Sequence, residues 1–395
     1  MSSGLELDIA SNVFGEFFKK AREYGSIRIT PLANVDSIIA SSILFKVLYE
    51  NGFNVVVSLK PVLDYSEPTI FIDLDLCRED TLCLSILHST SSTNTSSNKI
   101  VSPYSLSALV VKAIEKHWVI DSIDKVIALV GGVYRGLDLN KEGFKGLEAS
   151  IVEELGREGR IVSDIGFRFW GWKRCSLVDS LVYTLRPYIP GVTGFRDRVY
   201  GLLEKIGVKE PDSISSGELI SNPQLLKKLA SEILGRLRSS SRRNRSPVEV
   251  IGRQYFTEIA GRYTSLLDLC IFYETLLSMG FNEAVSLVYS LYDTFYLEVL
   301  FYRFEDLLEK IVSEIASNIE QYRVYGGECV MEKGLLVRPD IYSRILRELG
   351  VLGDKPVYMK DSSGRLYTSL AEYIRVNARI DYSIVDENQF IEITR

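Results

Sequence analysis

Apolar positions along the chain fall into two kinds of run. Short runs that are apolar at almost every place alternate with longer ones whose apolar residues return every three or four places. Residues 10–24 are of the second kind, with Val13, Phe14, Phe17, Phe18 and Ala21 on one side, and predict an amphipathic helix. Ser26–Thr30 predicts a short strand, and Pro31 and Asn34 shape the turn after it. Asp36 or Ser37 is placed to cap a helix that runs through Ile39, Ile43, Leu44 and Val47 to Glu50, and Asn51-Gly52 stops it. Phe53–Leu59, Thr69–Leu74, Thr81–Leu87 and Lys125–Val130 are apolar runs of strand length. Ser89–Asn98, almost all Ser, Thr and Asn, predicts a loop. Ser102-Pro103 opens a helix with Leu106, Leu109, Val110, Ala113, Ile114 and His117 on one stripe. Strands apolar on both faces that alternate with helices indicate a parallel sheet covered on both sides. Ligand crevices of such sheets lie beyond the C-terminal strand ends. The polar stations at 31–36, 73–75, 88–98 and 131–138 are therefore expected along one edge.

This α/β domain is expected over residues 1–165. A helical linker region, 166–246, follows, with helices at 176–186, 195–206 and Gln224–Arg238, the elbow RPYIPGVTG and the polar stretch SSSRRNRSP. Residues 247–395 read as a smaller α+β domain. Its helices are expected at Tyr263–Met279, Asn282–Tyr292, Glu298–Tyr322 and Asp340–Leu349, and its short strands at Gly334–Val337, Pro356–Met359, Arg365–Leu366 and Gln389–Ile393.

Composition narrows the function classes. Apolar residues are 46% and charged residues 25%, a balance with ample core material for more than one domain. The net charge of −6 argues against a surface that grips nucleic acid everywhere, though not against one basic groove. MSSGLELDIASN has an acid and no Lys or Arg before its first apolar stretch, so no secretory signal is expected, and no apolar run nears a membrane span. The five cysteines, Cys77, Cys83, Cys175, Cys270 and Cys329, lack metal spacing and read as reduced thiols, with Cys77 and Cys83 near enough to meet across one loop. The best basic cluster is Arg236, Arg238, Arg242, Arg243 and Arg245, either a solvated linker or a nucleic-acid contact through phosphates.

The order and spacing of the stations carry a resemblance. The chain resembles the DHH phosphoesterase superfamily in its archaeal RecJ-like branch. More narrowly it resembles the catalytically inactive archaeal family related to the replication protein called cell division control protein forty-five. The resemblance implies a DHH domain, a linker and a DHHA1-like domain. In active members, clustered Asp and His hold two Mn²⁺ or Mg²⁺ ions that clamp the attacking and leaving oxygens of a phosphodiester. The first motif, Thr-His-Asn-Asp-Ala-Asp-Gly, stands here as Pro31-Leu32-Ala33-Asn34-Val35-Asp36-Ser37. Leu32 cannot bind metal, Asn34 is neutral, and Asp36 remains. The second, a strand ending in Asp, keeps Asp73, with Asp75 two residues on. The Asp-His-His motif stands as Leu87-His88-Ser89, and the Gly-rich turn ending in Asp as Gly131-Gly132-Val133-Tyr134-Arg135. Arg135 would repel a metal but can fill its vacated space and pair with Asp36 or Asp73. The family's C-terminal substrate loop contains His, and this chain has none after His117.

About three of eight expected ligands thus survive. Asp36, Asp73 and His88 are residual metal candidates. Each also has a plainer reading: a helix cap, a strand-end acid paired with Arg135, and a hydrogen-bonded residue of the old cleft. His117 reads as packing. The resemblance implies a non-catalytic replication factor with no cofactor, at the replication fork in the cytoplasm of an archaeal cell. Its implied partners are the GINS complex and, through GINS, the MCM helicase, with a possible single-stranded DNA contact. A metal-dependent 5′–3′ exonuclease with a degenerate site and a nucleotide-binding sensor are the alternatives.

Overall fold

The computed structural model describes residues 2–90, 95–239, 246–325, 328–376 and 381–393. Helix α1 (Ser2–Ala21) precedes strand β1 (Ser26–Pro31) and helix α2 (Val35–Glu50). Strands β2 (Asn54–Val57), β3 (Thr69–Ile72), β4 (Cys83–His88) and β5 (Lys99–Ser102) complete a five-stranded sheet of order β2-β1-β3-β4-β5, parallel at every pairing. Pro31 lies opposite Ile72, and Ile72 opposite Ile86. The strands therefore end level, and the residues after them meet along one edge. The α/β class expected from the pattern is the observed one. The short β5 was not foreseen, because four residues behind a polar loop give no periodicity to read.

Helices α3 (Leu106–Ile114), α4 (Ser122–Tyr134) and α5 (Gly146–Arg157) follow. The run Lys125–Val130, expected as a strand, is the middle of α4. That helix is buried continuously from Asp124 to Val133, so it is apolar all round, and six such residues cannot distinguish the two periods. Nor do Gly131 and Gly132 end it. A Cβ at Gly131 would run into Ser107 Oγ and Asp36 Oδ1, and one at Gly132 would come within 2.8 Å of Phe144 Cε1. The glycines let α4 lie directly against its neighbours.

Strand β6 (Ile161–Phe167) leads into helices α6 (Leu177–Val182), α7 (Arg196–Ile206) and α8 (Pro223–Ser239), which share a core around Leu181, Val199, Leu203 and Ile233. The chain then returns as β7 (Ile251–Ile259), antiparallel to β6, and turns into β8 (Arg262–Ser265). This hairpin was not foreseen, and the helix expected from Tyr263 starts only with α9 (Leu266–Met279). The middle of β7 is buried on both faces, which erases the two-residue alternation. Helices α10 (Phe281–Tyr289) and α11 (Thr294–Gln321) follow. The last module holds β9 (Arg323–Tyr325), β10 (Glu328–Glu332), α12 (Asp340–Glu348), β11 (Val357–Lys360), β12 (Leu366–Ser369), α13 (Leu370–Val376) and β13 (Phe390–Ile393). Its sheet has the order β13-β12-β11-β10-β9, with only β10 and β11 parallel. Gly334–Val337 is not a strand. Its backbone is held instead by Glu314, which accepts from Leu335 N at 2.7 Å and Leu336 N at 3.1 Å.

Alternation along β3 splits the parallel sheet's faces. Ile70 and Ile72 join the helical core, while Phe71 packs with Leu370, Val385 and Ile391 of the last module. Gln389, in the left-handed region at φ 57°, pins the two together. Its Oε1 accepts from Ala33 N at 2.8 Å, and its Nε2 donates to Pro31 O at 2.6 Å and Leu59 O at 2.5 Å. Cys77 and Cys83 form a disulfide, which corrects the expectation of free thiols there, whereas Cys175, Cys270 and Cys329 are free. His117 lies beyond the end of α3 rather than on its apolar stripe; one side is exposed, while its ring lies against Gly15 of α1 and its Nε2 faces Ser11 Oγ at 3.1 Å.

Candidate functional site

The site forms where β1, β3 and β4 end and α2, α3 and α4 meet them. Asn34 is the N-cap of α2, its Oδ1 accepting from Ser37 N at 3.0 Å, which corrects the expected cap at Asp36 or Ser37. Asp36 caps a different helix. Its Oδ2 accepts from Leu106 N at 2.9 Å, and its Oδ1 accepts from Ser107 N at 3.0 Å and Ser107 Oγ at 2.7 Å. Those are the first free N–H groups of α3, where backbone donors and the helix dipole both favour an anion.

Asp73 adopts φ 60°, a conformation rare for a residue with a side chain. Its Oδ1 accepts from His88 N at 3.3 Å and its Oδ2 from Asn34 Nδ2 at 3.0 Å. Arg135, the C-terminal cap of α4, reaches across both acids. Its Nε donates to Asp36 Oδ2 at 2.9 Å and its Nη2 to Asp73 Oδ2 at 2.6 Å. Burial raises the Asp36 carboxyl, but the Arg135 charge and the Leu106 and Ser107 N–H groups outweigh it and hold the group below its ordinary value. Burial likewise works against the charge on Arg135, and Asp73 and Asp36 outweigh it, so the guanidinium is held well above its usual value.

The remaining stations are placed as follows. Leu32 is buried with Phe71 and Leu74 on the opposite side of the sheet from the helical core. Leu87 and Ser89 are half-buried, and Ser89 N donates to Ser102 O at 2.9 Å. His88 Nδ1 lies 2.9 Å from Tyr104 O. A carbonyl only accepts, so that nitrogen carries the proton. Asp75, the proposed substitute ligand, pairs with Lys99 at 2.5 Å instead.

A second ion cluster adjoins the first and was not anticipated. Glu274 of α9 accepts from Arg186 Nε at 3.0 Å and from Arg344 Nε at 2.7 Å. Burial pushes the Glu274 carboxyl up, but the two guanidiniums override it and bring it down to about 2. Tyr134 joins the clusters, with Arg186 5.3 Å and Arg135 5.9 Å from its ring centre. A cleft of about 350 Å³ opens over them, lined by Tyr134, Arg135, Arg168, Arg186, Arg344 and Glu348. Spacing gave no signal for this cluster, because its members are 88 and 70 residues apart in the chain.

The donor set does not suit a pair of divalent ions. Both oxygens of Asp36 are taken by protein donors, Asp73 holds Asn34 and Arg135, and a guanidinium stands where the resemblance places a metal-binding carboxylate. Among the described residues, no three His, Cys, Asp or Glu side chains gather as a metal-holding group.

The basic cluster lies elsewhere. Arg236 and Arg238 end α8, while Arg242, Arg243 and Arg245 fall outside the described residues. Arg236 lines a groove of about 870 Å³ with Lys205, Lys227 and Lys228. Residues 166–246 contain 15 Lys or Arg against 7 Asp or Glu, a net +8. With −6 for the whole chain, the remaining residues carry −14.

Sheet, cleft and strand-end stations define a protein built on a five-stranded parallel α/β frame. The chain belongs to the archaeal Cdc45 family: the family model described as Archaeal Cdc45 matches residues 96–381. Membership sets it among Cdc45-like proteins of the DNA replication machinery. Among solved structures it is similar to CDC45 from Entamoeba histolytica, at 11% identity and a TM-score of 0.60 over 90% of this chain and 87% of that one. RecJ from Thermus thermophilus in complex with Mn²⁺ gives 14% identity and a TM-score of 0.35 over 91% of this chain and 47% of that one. An exonuclease RecJ bound to manganese gives 13% and 0.36, over 91% and 81%. No curated protein matches the chain. Among the described residues, no helix is long and apolar enough to cross a membrane.

Proposed function

We propose that this protein is a non-catalytic scaffold of the replication machinery, one that binds the GINS complex and through it supports the MCM helicase at the fork, in the cytoplasm of an archaeal cell. The observation that carries the reading is Arg135 lodged between Asp36 and Asp73. A guanidinium that satisfies both acids turns a place for cation chemistry into a fixed internal joint. The rest of the cleft is then free to serve as a rigid platform. Two measurements test this. A Mn²⁺-supplemented digestion of single-stranded DNA is expected to show no turnover, and turnover that Asp73→Ala abolishes would overturn the reading. Titration with purified GINS is expected to show a stable complex, and its absence would overturn the partner.

The net +8 of residues 166–246 favours a single-stranded DNA contact through Arg236, Arg238 and the neighbouring Arg242, Arg243 and Arg245. Arg236→Glu with Arg238→Glu is expected to weaken DNA binding and flatten its salt dependence. Unchanged binding would remove this contact from the reading.

A further inference from the structure

The start of α11 breaks the rule that a surface helix has one apolar side. Leu297, Leu300, Phe301 and Phe304 are buried, as a helix stripe should be. Yet Phe295, Val299 and Tyr302, at spacings of four and three on another face, are 69%, 44% and 56% exposed. Tyr296 of the same turn is 37% exposed, its hydroxyl 2.7 Å from Ser286 Oγ. The loop before α11 adds Tyr292, which meets Tyr49 of α2 edge-on at 5.3 Å, and both are about half exposed. Tyr289 stands beside them, its ring 4.7 Å from that of Phe45. At ~200 Å² for a fully exposed aromatic side chain, the ridge shows roughly 600 Å². That is at the upper end of the largest patch on ordinary monomers and near the ~800 Å² that each side of a standard interface contributes.

Charge says what covers it. Glu50 and Asp293 both act electrostatically on Tyr292. Residues 282–306 hold five acids. Glu283 is paired with Arg303, and Glu305 with Arg262, whose guanidinium also lies 4.4 Å from the Tyr302 ring centre. That leaves Asp293, Glu298 and Asp306, with Glu50, to set the sign of the rim. An acidic rim repels phosphate backbones and anionic lipid surfaces, and in a two-fold contact it would face itself. Tyr and Phe anchors inside a charged rim are the make-up of a protein interface.

We propose that this ridge docks a protein partner offering an apolar groove bordered by Lys and Arg. The inference rests on the scaffold reading only for where the partner is sought, among the replication proteins GINS and MCM. The test is titration calorimetry of the full chain with purified GINS and, separately, purified MCM. Wild type is compared with Phe295→Ala/Tyr302→Ala, with the rim variant Glu50→Lys, and with Val119→Ala as a control remote in sequence, 91% exposed. The ridge pair is expected to weaken binding of one of the two proteins at least tenfold, Glu50→Lys to weaken it less, and Val119→Ala to leave it unchanged. All the variants should melt within about 2 °C of wild type, since exposed side chains add little to stability. Unchanged affinity in the ridge pair would overturn the docking assignment and leave the scaffold reading standing. Failure of wild type to bind either protein would overturn both. A wild-type dimer, or binding to anionic vesicles or single-stranded DNA, that the ridge pair abolishes would assign the surface to another occupant and overturn the proposal.

Discussion

Two buried ion clusters share one cleft with opposite arithmetic. At the strand ends, one guanidinium, Arg135, serves two carboxylates. At the junction with the last module, one carboxylate, Glu274, serves two guanidiniums. The first lies within the N-terminal 135 residues and is backed by the N-terminus of α3, so Asp36 keeps its backbone donors whatever happens to Arg135. The second ties three distant elements, and its arginines have little besides Glu274: Arg186 has the face of Tyr134, and Arg344 has Glu348 and the Leu185 carbonyl. Neighbouring ion clusters can thus differ in purpose. One joins two acids at the strand ends within the N-terminal module, and the other holds elements of different modules together.

That contrast can be broken experimentally. Glu274→Ala takes from Arg186 and Arg344 the buried carboxylate they share, leaving Arg344 only Glu348, and is expected to destabilise the fold by about 3–5 kcal/mol in denaturant unfolding. A loss below that of Arg135→Ala would reverse the ranking. Acid should separate the clusters next. The folded-state value of Glu274 is lowered from 4.5 to about 2, so its contribution is complete above pH 4.5 and lost as pH falls through 2. The lost amount is about 3 kcal/mol, and it should vanish from the pH profile of Glu274→Gln. Asp36, also lowered, contributes fully above its ordinary 3.8 and loses that contribution as pH falls below it. Arg135→Ala leaves two acids less well paired and is expected to lose about 2–3 kcal/mol by chemical denaturation. Asn34→Ala removes the α2 cap and one donor to Asp73, for about 1 kcal/mol, readable as a small fall in melting temperature.

The sequence anticipated the parallel sheet because its strands are separated by Pro, Asn-Gly and polar turns that leave few other readings. It failed at α4, where complete burial hides the helical period, and at β7, where burial on both faces hides the strand period. At the site, motif order singled out Asn34, Asp36, Asp73, His88 and Arg135, which the structure brings together at one edge of the sheet. What Asp36 does could not be read that way, since its partners Leu106 and Ser107 lie 70 and 71 residues away and reach it only once α3 is packed. The Arg186–Glu274–Arg344 cluster has no local pattern at all, being a product of tertiary packing between elements without shared motifs.

Gln389 sets a timetable as well as a contact. The turn carrying Leu32 to Asn34 is pinned by a side chain 356 residues downstream of Ala33. At cellular translation speeds the ribosome needs roughly 20–70 s to cover that distance. Throughout that interval the nascent sheet exposes the Pro31 and Leu59 carbonyls to water, and the face bearing Phe71 lacks Leu370, Val385 and Ile391. The N-terminal module leaves the ribosome long before the segment around Gln389 that pins its Leu32–Asn34 turn has been made.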